Sequence, residues 1–272
     1  MGNLFRAFFF KLRRDLTFRI TLIVGAGLAI LMMVLFLIID NFLGDFDARV
    51  CSGQTLFLVS FTPTSNFGLA IPINLITFTV LEFTHGIIRN KIVAGNSKFK
   101  IYLGLFLSGL VFALSLLFVY VGLCTLLGTI CGGFDPNGLA LGALSGAGFG
   151  RCTPEYIGKT LVVAIMVYIS LTSLTIFVST LLRNVGPSIP LVIMPLMILA
   201  IAGPLIAQFK PEAQNALLYL NPLQVLGNAT ITQQGVFVLE NERVIGTVVS
   251  NLMYTAIFFG FGSLIFVKRD VK

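Results

Sequence analysis

The sequence predicts an all-α membrane protein with six transmembrane helices in one domain. Hydrophobic residues fill 57% of the 272 positions, charged residues fill only 11%, and the mean hydropathy of +0.98 exceeds that of ordinary water-soluble domains. Charge-poor stretches of about 20 residues recur six times, the length with which a helix crosses a bilayer core. Basic residues concentrate in alternate connections between these stretches.

The predicted spans share this length and lack of charge, and are Ile20–Ile39, Phe57–Leu81, Ile101–Ile130, Tyr156–Leu182, Pro187–Ala207 and Ile245–Val267. Pro72 is expected to bend the second span. A tight turn at 183–186 separates the fourth span from the fifth. The connections are too short to build a second core, so residues 1–272 form a single domain. It comprises an amphipathic segment (1–19), a six-span core (20–267) and a tail (268–272).

The segment before the first span has the pattern of an interfacial helix. Phe5, Phe8, Phe9 and Leu12 recur at helical spacing. The basic residues Arg6, Lys11, Arg13 and Arg14 lie between them, a composition suited to the headgroup plane of membrane lipid. Two interpretations stay open: this helix anchors the chain in the membrane, or it also holds a cytosolic partner.

The basic residues predict the orientation. With six spans and the N-terminus inside, the cytosolic segments contain most of the 18 Lys and Arg residues, namely Arg6, Lys11, Arg13, Arg14, Arg19, Arg89, Lys91, Lys98, Lys100, Arg183, Lys268, Arg269 and Lys272. The basic-inside preference then places both termini in the cytosol. The net charge of +7 follows from this topology and does not indicate nucleic-acid binding.

A charged decapeptide, Glu82 to Lys91, follows the second span. Glu82, His85 and Arg89 are spaced i, i+3, i+7, so a continuous helix would place them on one face, with Asn90 and Lys91 beside it. This face is a candidate docking site for a soluble protein.

The sequence contains little catalytic chemistry, and we expect no enzymatic activity from this chain alone. His85 is the single histidine, and no pair of carboxylates occurs within a span. Gly158-Lys159-Thr160 resembles the end of a phosphate-binding loop, but Thr153 occupies the position of the required first glycine. The thiols have no His or carboxylate at metal-ligand spacing, so we predict neither a metal site nor a cofactor.

The connection after the third span contains a glycine stripe and is flanked by cysteines. Gly138, Gly142, Gly146 and Gly150 are spaced by four residues, which suits either a closely packed outer helix or a flexible outer loop. Cys131 and Cys152 flank the stripe. A disulfide between them would close this loop if the outside is oxidising.

Three motifs resemble one transporter family. They are the run from Glu82-Phe83-Thr84-His85-Gly86 through Arg89-Asn90-Lys91 to Tyr102, the segment Asn221-Pro222-Leu223-Gln224, and the ending Phe266-Val267-Lys268-Arg269-Asp270. Their order and the layout of the whole chain are similar to those of type 2 ABC transporter permeases.

The resemblance implies that residues 1–272 are the permease domain of an ATP-driven exporter. Two such permeases, most simply a homodimer, would pair with two ABC ATP-binding subunits that carry ATP and Mg. It also implies that the N-terminal helix and a cytosolic coupling helix between spans 2 and 3 contact the ATPase. The residues then expected at the coupling surface are Glu82, His85, Arg89, Asn90, Lys91, Arg6, Arg13 and Arg14.

The resemblance further implies a re-entrant outer helical pair between spans 5 and 6, over about 208–244, and a place in the bacterial plasma membrane. The phenylalanine-rich, nearly uncharged spans favour a hydrophobic peptide or drug as substrate. Two other interpretations stay open. One is an ion-coupled secondary carrier, which the scarcity of charge within the spans disfavours. The other is a membrane docking or sensory subunit that transports nothing.

Overall fold

The computed structural model describes residues 2–43, 51–60, 70–135, 137–141, 149–209, 230–231 and 236–269. Most of these residues are helical. The helices are α1 (Gly2–Arg14), α2 (Leu16–Leu43), α3 (Gly53–Ser60), α4 (Ala70–Thr84), α5 (Ile87–Val93), α6 (Lys98–Gly132), α7 (Pro154–Leu182), α8 (Val185–Phe209) and α9 (Asn241–Lys268). Two antiparallel ribbons pair β1 (Leu139–Leu141) with β2 (Phe149–Arg151), and β3 (Thr230–Ile231) with β4 (Phe237–Val238).

The apolar helices confirm a membrane-type protein. Helices α2, α6, α7 and α9 are each long and apolar enough to cross a bilayer, and the bent pair α4 and α5 is a fifth candidate. They coincide with the first, third, fourth and sixth predicted spans, and with the inner part of the second. Helix α8 covers the predicted fifth span, but the apolar stretch found there, Val185–Ile198, is shorter than a crossing needs. A sixth crossing therefore stays a prediction.

The structure describes two helices of the second predicted span, α3 and α4. Residues 61–69 between them lie outside the described ranges. Pro72 falls in the first turn of α4, where a missing N–H costs nothing because the first turn has no intrahelical acceptor for it. The bend that the sequence predicts at Pro72 stays a prediction.

The first span also begins earlier than expected. Helix α1 ends at Arg14, and the Asp15 carboxylate accepts a hydrogen bond from the Thr17 backbone N–H at 2.8 Å. This is the geometry with which an aspartate caps a helix, so α2 starts at Leu16 rather than Ile20. The amphipathic segment is correspondingly shorter than the predicted 1–19.

Contacts between helix ends define one end of the bundle, called here the basic end. Lys11 of α1 contacts Glu82 of α4, and the Phe83 ring packs against that of Phe266 in α9. The start of α6 and the end of α7 join this end through Lys98 and Arg269, described below. Both described ends of the chain therefore lie at the basic end, as an even number of crossings requires.

The opposite end, called here the cysteine end, contains Cys51, Cys131 and Cys152. Its elements are also tied together: the Gln54 amide donates to the Leu139 carbonyl at 3.1 Å, and the Tyr156 ring stacks on Phe237. Each predicted cytosolic connection that the structure describes lies at the basic end, and each predicted outer connection lies at the cysteine end.

The glycine stripe does not form an outer helix. Gly138 immediately precedes β1, and Gly150 lies within β2 opposite Ala140. Gly142 and Gly146 fall outside the described residues. Most of the re-entrant pair predicted over about 208–244 also lies outside them. The described part of that connection contains the β3–β4 ribbon.

A polar seam joins α7 to α9 in the middle of the bundle. The Ser170 hydroxyl donates to the Asn251 side-chain oxygen at 2.6 Å, and the Ser173 hydroxyl donates to the Thr255 carbonyl at 3.1 Å. The Asn251 amide donates in turn to the Thr247 carbonyl at 2.9 Å. Hydrogen bonds of this kind hold apolar helices together where lipid supplies no hydrophobic driving force between them. All these groups are uncharged.

Helix α3 packs unusually close to α6 because α6 presents glycines to it. A Cβ added at Gly128 would lie 2.7 Å from the Leu56 side chain and 3.0 Å from the Ser52 carbonyl oxygen. The Gly53 backbone N–H donates to the Gly133 carbonyl at 2.9 Å, which fixes the start of α3 on the end of α6. Small residues allow this approach of two backbones.

We predict that Gly128→Ala destabilises the protein by about 1–3 kcal/mol, the usual cost of overpacking a filled site. Gly122→Ala is the matched control on the same helix, because an added Cβ there meets nothing within 4 Å. Both changes gain the same intrinsic helix propensity, about 1 kcal/mol. Thermal unfolding in detergent should show a lower Tm for Gly128→Ala than for Gly122→Ala. Equal Tm values would contradict close packing between α3 and α6.

Candidate functional site

The most distinctive site is a buried ion cluster at the basic end, formed by Lys11, Glu82 and Lys91. The Glu82 side chain has no exposed surface. Its Oε1 accepts a hydrogen bond from Lys11 Nζ at 2.5 Å, and its Oε2 accepts one from Lys91 Nζ at 2.9 Å. The three residues come from α1, α4 and α5, so one carboxylate connects three helices.

Aromatic rings complete the cluster. The Phe8 ring lies 3.3 Å from Lys91 Nζ, and the Phe78 ring lies 5.4 Å from Lys11 Nζ, both within cation–π distance. Phe8 is itself buried, and it packs where α6 has Gly104 instead of a larger residue. Helix α1 is thus held to the bundle by Phe8, Leu12 and Lys11, which share one of its faces.

The electrostatics of the cluster depend on Glu82. Burial lowers the pKa of Lys91, and the Glu82 carboxylate opposes that shift by stabilising the charged ammonium. The positive charge of Lys11 acts in the same direction as burial. Without Glu82, two lysines would face each other beside aromatic rings with no negative charge between them. The carboxylate therefore allows α1 and α5 to approach each other.

The turn after α4 changes the predicted coupling face. Helix α4 ends at Thr84, and Gly86 adopts the left-handed conformation (φ 65°) that favours glycine. Helix α5 then leaves at 53° to α4. Glu82 therefore lies on a different helix from Arg89, and the three residues do not form the single face that their spacing predicted.

Glu82 also does not belong to the exposed surface. His85, Arg89 and Asn90 are exposed, Lys91 is half-buried, and Glu82 is enclosed between the lysines. A buried carboxylate cannot meet a partner directly, so any role of Glu82 in docking must be that of a positioning residue for α5.

The other basic residues described in α1 lie outside the buried face that Phe8 and Leu12 form. Arg6, Arg13 and Arg14 are all exposed. The Arg14 guanidinium lies 4.4 Å from the Phe10 ring, which is also exposed. These residues and Arg89, His85 and Asn90 form the exposed surface of the basic end, called here the coupling surface.

A second set of contacts, which the sequence did not predict, connects helix ends beside the cluster. Lys98 Nζ donates to the Val267 and Arg269 carbonyls at 3.1 Å each, and the Arg269 guanidinium donates to the Leu181 carbonyl at 2.5 Å. The last carbonyls of a helix lack intrahelical donors and carry partial negative charge. Lys98 therefore caps the end of α9, and Arg269 caps the end of α7.

Arg183, in the turn between α7 and α8, lies close to the same region. It adopts a left-handed conformation with φ 53°, and its guanidinium lies 5.3 Å from the Phe83 ring. Burial lowers the pKa of Arg183, and the neighbouring charge of Arg269 lowers it further. The turn predicted at 183–186 is thus present, but its arginine is part of the packed basic end.

Two further sequence predictions concern a metal site and a disulfide. Within the described ranges, no three His, Cys, Asp or Glu side chains lie together as metal ligands. All four cysteines are free thiols, and Cys131 lies beside Cys51. The disulfide expected between Cys131 and Cys152 stays a prediction.

No family model, curated protein or solved structure matches this chain.

We predict that Glu82→Gln destabilises the protein by about 3–5 kcal/mol, because removing one member of a buried ion cluster leaves uncompensated charge. Glu155→Gln is the matched control, since Glu155 forms an exposed ion pair with Lys159 worth about 0–1 kcal/mol. Thermal unfolding in detergent measures both. Adding Lys11→Met and Lys91→Met to Glu82→Gln should recover most of the loss. Equal effects of the two Gln variants would contradict the cluster.

We also predict that Lys98→Met loosens the end of α9. The two lost hydrogen bonds cap its last turn, where a cation contributes about 0.3–1 kcal/mol and changes exchange rates about two- to fivefold. Amide hydrogen exchange over residues 264–268 measures this. Lys100→Met, an exposed lysine on the same turn of α6, is the control and should leave these rates unchanged.

Proposed function

We propose that this chain is the permease subunit of an ATP-driven ABC exporter, and that separate ATP-binding subunits dock on the coupling surface. The observation that carries the proposal is the Lys11–Glu82–Lys91 cluster, which joins the N-terminal helix to the short helix α5. A subunit driven from outside needs a docking element that cannot move independently of its spans. The cluster meets this need.

The charge of the coupling surface supports a protein partner of opposite sign. Arg6, Arg13, Arg14 and Arg89 are exposed, while Glu82, the acidic residue among them, is enclosed. Complementary charge accelerates docking and fixes orientation. The exposed Phe9 and Phe10 on α1 favour simultaneous contact with the headgroup layer.

The polar groups described inside the bundle favour an external source of energy. The seam between α7 and α9 consists of hydroxyl, amide and carbonyl groups, and these are paired with one another. Proton- and ion-coupled carriers use ionisable groups near the middle of their spans. The buried carboxylate of Glu82 lies instead at the end of the bundle, between two lysines.

The finer parts of the proposal are these. The chain has six spans and both termini in the cytosol, acts as a homodimer in a bacterial plasma membrane, and exports a hydrophobic or amphipathic peptide or drug. ATP closure of the partner subunits would draw the two α5 helices together and shift the spans between two arrangements. ATP and Mg belong to the partner, not to this chain.

Affinity purification from native membranes in mild detergent, followed by mass spectrometry, tests the proposal. We expect an ATP-binding cassette subunit at about one copy per chain, and stimulation of its ATPase activity by a transported solute. Recovery of the chain alone would contradict the proposal and favour a secondary carrier. An ATPase that is bound but never stimulated by any solute would indicate a docking subunit.

We predict that Arg89→Glu lowers affinity for the ATPase by about tenfold or more, a loss of about 1.4 kcal/mol or more. The fold should persist, because Arg89 is exposed and lies outside the ion cluster. Arg151→Glu is the matched control, with the same charge reversal on an exposed residue of the cysteine end. Titration of the ATPase into nanodiscs containing each variant measures affinity. Equal weakening by both changes would contradict docking at the coupling surface.

A further inference from the structure

Two thiols meet at the cysteine end from parts of the chain that are distant in sequence. Cys51 precedes α3, and Cys131 lies in the last turn of α6. The structure places the Cys51 thiol beside the Cys131 thiol. Cys51 is buried, whereas Cys131 retains some exposure.

The backbone around this pair is built for close approach. The Cys51 carbonyl oxygen lies against Gly132, where an added side chain would clash with it. The adjacent Gly53 N–H donates to the Gly133 carbonyl at 2.9 Å. Because the backbone at Cys51 contacts Gly132, the residue next to Cys131, the two cysteines lie close enough for the short separation that a disulfide requires.

We propose that Cys51 and Cys131 form a structural disulfide in the membrane-embedded protein. The oxidant is a disulfide-bearing thiol oxidoreductase of the outer compartment. The inference goes beyond the transport function, but it rests on the proposed outward placement of the cysteine end. Only there do disulfides persist in ordinary cells.

The exchange proceeds in two balanced steps. The Cys131 thiolate attacks the oxidoreductase disulfide, forms a mixed disulfide and displaces one thiolate. The Cys51 sulfur then attacks Cys131 Sγ and displaces the second. Two electrons and two protons leave the cysteine pair, and the oxidoreductase ends as a dithiol.

The difference in exposure determines the order of these steps. Burial, followed by the neighbouring Cys131 thiol and the Asp40 carboxylate, raises the pKa of the Cys51 thiol to about 11. At neutral pH Cys51 is therefore protonated and enclosed, so it reacts second and passes its proton to the departing thiolate of the oxidoreductase as it attacks. The accessible Cys131 meets the oxidoreductase first.

Mass spectrometry of the full chain tests the proposal, with N-ethylmaleimide added before membranes are solubilised. We expect a linked peptide pair containing Cys51 and Cys131, absent from Cys51→Ser and from Cys131→Ser. Cys124→Ser and Cys152→Ser are the controls and should keep the link. A reductant should lower the Tm of the wild-type chain and leave that of Cys51→Ser unchanged.

Four alkylated cysteines in the wild-type chain, or a link between Cys131 and Cys152, would overturn the disulfide. Asn137→Cys in a chain with all four native cysteines changed to Ser determines the sidedness separately. Its labelling by a membrane-impermeant maleimide on intact cells is expected. If this variant is not labelled, the outward placement is overturned. If it is labelled while the wild-type chain shows four alkylated cysteines, the disulfide alone is overturned.

Discussion

The basic end depends on the burial of one carboxylate between two lysines. Glu82 has no exposed side-chain surface, and burying such a group without counter-charges costs several kcal/mol. Lys11 and Lys91 supply the counter-charges, and their own burial requires Glu82 in return. Because each belongs to a different helix, neutralising the charge requires α1, α4 and α5 to be assembled together. The apolar contact of Phe8 with the glycine position of α6 fixes the place where this happens.

Basic residues at this end do more than set orientation. In the basic-inside rule they only favour one side of the membrane. Here Lys98 and Arg269 also donate to the last carbonyls of α9 and α7, where the helix dipole is negative. The same charges thus orient the chain and hold its helix ends together. The acids described at this end have other roles: Glu82 balances the lysines, and Asp15 caps the start of α2.

The sequence predicted the long helices well and the contacts poorly. The spans in α6, α7 and α9 were placed within a few residues because long charge-poor runs are bounded by polar residues. The left-handed Gly86 was missed because an i, i+3, i+7 pattern was extended across a glycine that ends a helix. Lys11 could have been identified, since it shares the apolar face of Phe8 and Leu12, whereas Arg6, Arg13 and Arg14 do not. The meeting of Cys51 and Cys131 left no signal, because spacing along the chain says nothing about neighbours on different helices.

These attachments restrict where the bundle can change shape. Helix α6 is held at the basic end by Phe8 of α1 and at the cysteine end by α3, while the polar seam and the Arg269 cap unite α7 with α9. Lys98 of α6 reaches across to the end of α9. Movement within either unit would break buried hydrogen bonds or open close glycine contacts. Movement between the two units would break the two hydrogen bonds of Lys98 and open the close contacts of Gly109 with Ile176 and of Gly262 with Tyr102. If the chain alternates between two arrangements, these contacts between the units must break and form again. Helix α5, fixed to α4 by the ion cluster, is where an external force would reach the bundle.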